Sequence, residues 1–158
     1  MITLSNSKNS RYQSFLDYID EEGLRLTTER KQIAQTIFEQ EDQFEAEDLL
    51  FMLRGEDKNV SRATIYRTLE LMVKSGLLLK LDFGDGYSVY QVSDGSSHHA
   101  HLYCRHCGKV EEFSDPEIAR RQEEICEEKD FYAEEYGQKI FGYCDDCRSV
   151  VGVDTADS

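Results

Sequence analysis

Three observations predict an α+β fold in two parts. Apolar residues recur at helical spacing as far as Gly76, the period drops to two between Leu77 and Val92, and two C-x-x-C pairs, Cys104/Cys107 and Cys144/Cys147, lie in the remainder. The helices come first. Tyr12, Phe15, Leu16 and Ile19 fall at i, i+3, i+4 and i+7, and Gly23 can close that helix in a left-handed cap. Thr27 or Thr28 can cap a second helix with Ile33, Ala34, Ile37 and Phe38 on one face. Ala46, Leu49, Leu50 and Leu53 mark a short third helix. Ser61 is a good N-cap for a fourth, with Ile65, Leu69, Met72 and Val73 inward and Gly76 just past its end. Leu77, Leu79, Leu81 and Phe83 then alternate, Gly84-Asp85-Gly86 turns the chain, and Ser88, Tyr90 and Val92 alternate back as a β-hairpin.

Short helices followed by a hairpin, with the polar stretch 55–60 joining the third and fourth helices, predict a winged helix-turn-helix over residues 1–92. Its recognition helix occupies 61–75. Residues 93–97, Ser-Asp-Gly-Ser-Ser, are small and polar and predict a hinge. Residues 98–148 form a second, smaller α/β domain. Its short strands around Leu102–Cys104 and Val110–Phe113 precede a helix that Asp115 caps and Pro116 opens. That helix runs to about Lys129, with Ile118, Ala119, Gln122, Ile125 and Cys126 on one side, and a last strand from Lys139 to Tyr143 leads into the second cysteine pair. Residues 149–158 look like a loose tail. So small and acidic a half needs a staple or a partner subunit.

The cysteines supply the staple. No apolar run approaches the roughly 20 residues of a membrane span, and residues 1–10 have neither the basic nor the apolar region of an export signal. The expected location is therefore the cytoplasm, where paired cysteines point to metal or redox chemistry rather than disulfides. A thioredoxin-like dithiol needs one such motif opening a helix after a strand. Two C-x-x-C turns instead aim four thiolates at one point, so Cys104, Cys107, Cys144 and Cys147 are expected to hold Zn²⁺ in a closed, structural site. Cys126, on the apolar helix face, is expected to be a buried small hydrophobe.

A net charge of −14 opposes binding to a polyanion, but its distribution does not. Between Lys58 and Lys80, Lys58, Arg62, Arg67, Lys74 and Lys80 face the single acid Glu70, while acids concentrate in 20–22, 39–48, 123–130 and 134–135. That basic island contains the recognition helix. Arg62, Thr64, Tyr66 and Arg67 lie near its start, where side chains reach base edges, and Arg25 and Lys80 can hold phosphates. The expected partner is double-stranded DNA.

His98-His99-Ala100-His101 is the remaining cluster. In an extended segment His99 and His101 point to one side and His98 to the other, and Glu112 on the following strand can reach the first side. Two imidazoles and a carboxylate make half of a site for a divalent metal. A zinc-dependent hydrolase or redox enzyme built on these histidines and Cys126 would also need an open metal position and a nucleophile or base, and no such set is present in the sequence.

These stretches resemble the ferric uptake regulator family: residues 23–30 (Gly-Leu-Arg-Leu-Thr-Thr-Glu-Arg), 46–49 (Ala-Glu-Asp-Leu), 61–69 (Ser-Arg-Ala-Thr-Ile-Tyr-Arg-Thr-Leu), 98–110 and 141–144. The resemblance covers nearly the whole chain. It implies a homodimeric repressor on a palindromic operator, a C-terminal dimerisation domain, and DNA contacts from Arg25, Tyr66 and Arg67. It also implies a regulatory site for Fe²⁺, Mn²⁺ or Zn²⁺ whose matching positions are Gln43, Gln91, His99, His101 and Glu112, two of them carboxamides where the family has ionisable ligands. A further metal site of the family retains only His98 and is expected to be absent. The alternative on the same fold is a metal-independent or partner-regulated DNA-binding protein that carries structural zinc alone.

Overall fold

Thr27 accepts a hydrogen bond from the Arg30 N–H at 3.3 Å, Ser61 accepts one from Thr64 at 3.1 Å, and these caps start the second and fourth helices. The computed structural model describes residues 3–40, 42–84, 86–96 and 98–153. It divides into two compact units, Met1–Gly95 and Ser96–Ser158. The first holds α1 (Thr3–Glu21), α2 (Thr28–Glu39), α3 (Ala46–Gly55) and α4 (Arg62–Lys74), then β1 (Leu78–Asp82) antiparallel to β2 (Ser88–Val92). Gly23 has φ +64° and the Leu24 N–H donates to the Ile19 carbonyl at 2.9 Å, the left-handed closure that glycine permits.

The predicted inward residues of the helices meet in one core. Phe15, Ile19, Ile33, Ile37, Leu49, Leu53, Ile65, Leu69 and Met72 are all fully buried. Thr68 is buried among them, and its hydroxyl is satisfied by the Thr64 carbonyl at 2.7 Å. Because the Ser61 hydroxyl holds the first turn of α4, Ser61→Ala is expected to lower stability by about 1 kcal/mol, read from the urea midpoint by tyrosine fluorescence.

The wing departs from the predicted alternation. Leu78, not Leu77 or Leu79, is buried in the helical core together with Tyr90, while Leu81 and Val89, paired in register, are buried on the hairpin's other face. The expected hairpin is present, but one that is apolar on both sides gives no clean period of two, so alternation alone does not say which face meets the helices. Phe44, in the segment between α2 and α3, exchanges both backbone hydrogen bonds with Tyr90, at 3.0 and 2.8 Å, and their rings stack 5.9 Å apart.

The second unit holds β3 (His98–Cys104), β4 (Val110–Phe113), α5 (Pro116–Glu128), β5 (Tyr136–Gly142) and α6 (Asp145–Val151). The sheet order is β4-β3-β5, with β4 antiparallel and β5 parallel to β3. Asp115 caps α5 through the N–H groups of Glu117 and Ile118, at 2.8 and 3.3 Å, with Pro116 at the start. β3 and β5 both begin earlier than expected because they pair over their whole length, His98 with Tyr136 through Cys104 with Gly142. Residues 149–151, expected in a loose tail, belong to α6, which stops at Gly152 in the left-handed conformation. Cys126 is half-buried rather than buried, and Ile125 is exposed. Asp85 of the predicted turn, Ser97 of the predicted hinge and residues 154–158 of the predicted tail lie outside the described residues. Among the described residues no helix is long and apolar enough to cross a membrane.

Candidate metal centre and nucleic-acid interface

The two cysteine pairs converge. The Sγ atoms of Cys104, Cys107, Cys144 and Cys147 all lie within 4.8 Å of one another, and among the described residues this is the only such group of three or more potential ligands. Each turn is built by the backbone. The Gly108 N–H returns to the Cys104 carbonyl at 2.9 Å with Gly108 at φ +74°, and the N–H groups of Cys147 and Arg148 return to the Cys144 carbonyl at 3.0 and 2.9 Å. The Arg105 N–H donates to the Gly142 carbonyl at 2.8 Å, tying the first turn to the end of β5.

The electrostatics of this group suit a cation. Backbone N–H groups of Cys107, Cys144 and His106 point at the Cys104 sulfur and push its thiol down to about 6. Burial, then hydrogen bonds to the other three sulfurs, push the Cys147 thiol up. Four converging sulfurs of this kind fit Zn²⁺, which takes the place of their protons.

On the sheet, His99 and His101 lie on one side of β3, and Glu112 of β4 sits directly across from His101. His101 is only 1% exposed. Burial holds its imidazole below the usual range against the opposing pull of Glu112, with His99 and Lys139 adding to the lowering, which leaves it a neutral donor. The Nδ1 of His99 is buried with no hydrogen-bond partner among the described residues. Among the described residues these three are not one of the groups whose ligand atoms already converge, so holding an ion there requires rotation of side chains. Gln43 and Gln91 belong to the first unit, where the Gln43 amide donates to the Gln91 carbonyl oxygen at 3.3 Å. On the other side of β3, His98 stacks on Tyr136 with centroids 4.3 Å apart and lies 3.5 Å from a Glu123 oxygen.

The recognition helix buries Ile65, Thr68, Leu69 and Met72 and exposes the opposite face, where Tyr66 is 42% exposed and Arg67 is exposed beside it. Thr64 turns inward to the cap, its hydroxyl 2.9 Å from that of Ser61. Arg62 is exposed but held by Glu47 of α3 at 2.9 Å. Lys80 projects from β1 into a cavity of about 310 Å³ between α3, α4 and the wing, lined also by Glu47 and Tyr66. Arg25 is exposed in the loop before α2, where its carbonyl accepts from Arg30. Sequence reasoning missed Glu47, which lies 15 residues from Arg62 and is visible only once α3 and α4 are packed.

The model of the ferric uptake regulator family matches residues 21–140. The "Ferric uptake regulation protein" of Cupriavidus metallidurans is 37% identical over 129 residues, which cover 79% of this chain and 89% of that one. The solved ferric uptake regulator of Helicobacter pylori, described with three functional metal binding sites, superposes with a TM-score of 0.77 at 27% identity, covering 89% of this chain and 93% of that one. That of Pseudomonas aeruginosa, solved with manganese, superposes with a TM-score of 0.69 at 30% identity, covering 80% and 95%.

Proposed function

This chain belongs to the ferric uptake regulator family, and from that premise we propose that it is a repressor whose dimer reads a palindromic operator through Tyr66 and Arg67 of α4. It is a metal-responsive, DNA-binding transcription regulator. The observation that carries the assignment of contacts is the division of α4. One face is locked into the core by Ile65, Leu69 and Met72, and the other presents an aromatic ring and a guanidinium from the first turns of the helix. Arginine meets guanine in a bidentate pair and a tyrosine ring packs on thymine methyls. Arg25 and Lys80 supply phosphate contacts. We place its work in the cytoplasm, alongside the DNA, and assign it no catalysis.

The dimer forms through the second unit. Leu102, Ile140 and Phe141 of the sheet are exposed, Ile125 of α5 likewise, and β5 is an edge strand with open backbone groups. Zn²⁺ held by the four cysteines closes this unit and does no chemistry beyond that. Hydroxyl-radical footprinting on duplexes selected from a random pool tests the whole reading: two protected half-sites, spaced by about one helical turn or a multiple of it, are expected.

The regulatory metal is assigned to His99, His101 and Glu112. The two imidazoles share one side of β3, burial holds His101 below the usual imidazole range, and the buried His99 Nδ1 has no hydrogen-bond partner among the described residues. Gln43 and Gln91 are spent on each other, and a carboxamide oxygen brings no charge to a divalent ion. Isothermal titration of the zinc-loaded protein with Mn²⁺ is therefore expected to lose its signal in His99→Ala and His101→Ala. In Gln43→Ala and Gln91→Ala the affinity stays within about threefold of the parent, less than 1 kcal/mol.

A further inference from the structure

Glu47 stands in the first turn of α3 and touches two residues of the recognition helix. One carboxylate oxygen is 2.9 Å from Arg62 Nη2, and the other accepts a long hydrogen bond of 3.5 Å from the Tyr66 hydroxyl. Arg62 is the first residue of α4 and Tyr66 stands one turn further on, so one acid grips the end of the helix that faces the bases. The grip is exposed: the side chains of Arg62 and Glu47 are 66% and 48% accessible. An ion pair so open to water adds little to stability, so its effect falls on what α4 presents to a ligand.

The pair also changes the charge that DNA meets. Of the five cations between Lys58 and Lys80, Lys58 is paired with Glu56 and Arg62 with Glu47. Arg67, Lys74 and Lys80 carry no ion pair among the described residues. Binding to DNA of any sequence grows with the number of free cations that reach phosphates, and each contributes about 0.9 to the salt slope. A carboxylate on Arg62 removes one. It also stands at the rim of the cavity shared by Tyr66 and Lys80, where phosphate is repelled.

We propose that Glu47 sets the sequence selectivity of this protein, as a positioning residue that fixes Tyr66 and withholds Arg62 from indiscriminate phosphate contact. The inference rests on the assignment of α4 as the DNA-reading helix. Glu47 lowers affinity for all DNA and raises the advantage of the correct sequence, a trade made by placing repulsion against wrong partners.

The test uses the full-length, zinc-loaded dimer. Its Kd is measured at several salt concentrations for a duplex it selects from a random pool and for a scrambled duplex of the same length and composition. In Glu47→Ala the scrambled duplex is expected to bind several-fold tighter at low salt, with a slope steeper by about 0.9. The ratio between the two duplexes should fall roughly tenfold, the scale of one misread base pair. Glu47→Gln keeps an acceptor for the Tyr66 hydroxyl and loses the charge, so its slope should steepen equally while its ratio falls less. Adding Arg62→Ala to Glu47→Ala should return the slope to that of the parent. Should Glu47→Ala fold poorly, Glu47→Gln and its salt slope carry the test. Unchanged slopes and an unchanged ratio in both variants overturn the role of Glu47 and leave the DNA-reading helix standing. A parent dimer that prefers neither duplex overturns both.

Discussion

Cys104→Ser is expected to abolish zinc binding, melt the second unit and convert the dimer to monomers. The magnitude follows from how little else holds that unit. Among its described residues the only buried apolar side chains are Cys104 and Cys147 themselves, and no residue of α5 is buried. The turn at Cys104 is tied to the end of β5, and Cys144 and Cys147 open α6, so the ion joins elements that no core joins. For such a site the energy of binding the metal is folding energy. Cys144→Ser should behave the same way, and strong chelation of the parent should reproduce both. Loss of the dimer removes the second half-site contact, which costs roughly 10²- to 10⁴-fold in DNA affinity through lost avidity. Elemental analysis and sedimentation velocity read the outcome. A zinc-free Cys104→Ser protein that remains a folded dimer contradicts the account.

Tyr66→Ala and Arg67→Ala carry the next largest effects. Each should weaken binding to a selected duplex by ~1–3 kcal/mol while leaving the unfolding midpoint nearly unchanged, because both side chains stand outside the core. Tyr66→Phe should cost less than Tyr66→Ala, since the ring does the packing and the hydroxyl is turned toward Glu47. Arg25→Ala should differ in kind. A phosphate contact is indifferent to sequence, so affinity should fall evenly for selected and scrambled duplexes, with a salt slope flatter by about 0.9. Fluorescence anisotropy at fixed salt separates the two patterns.

What the sequence made legible was local. Thr27, Ser61 and Asp115 each cap the helix they precede, because a side-chain oxygen two or three residues ahead of a free N–H is a local signal. The four cysteines were legible for the same reason, each pair being its own turn. What was missed depends on distant partners. The full length of β3 comes from β5, more than 30 residues on, whose pairing carries all three histidines into the strand. Which face of the wing meets the helices was not legible, because burial on both sides erases alternation. The helix after Cys144 was passed over, although Asp145 and Asp146 in its first turn and Gly152 at its stop are ordinary helix signals. The basic island was overcounted, since Glu56 and Glu47 lie outside it in sequence and neutralise two of its cations in space.

The central claim is that α4 of a zinc-held dimer reads DNA sequence. The most direct measurement is the Kd of the zinc-loaded dimer for a duplex drawn from a random pool, set against a scrambled duplex of the same length at one salt concentration, with Mn²⁺ and without. The account predicts a preference of at least ~10³ with metal, the lower range for specific regulators, and its loss in the Tyr66→Ala, Arg67→Ala double variant. Equal affinity for both duplexes under both conditions, or a preference that survives the double variant, would contradict it.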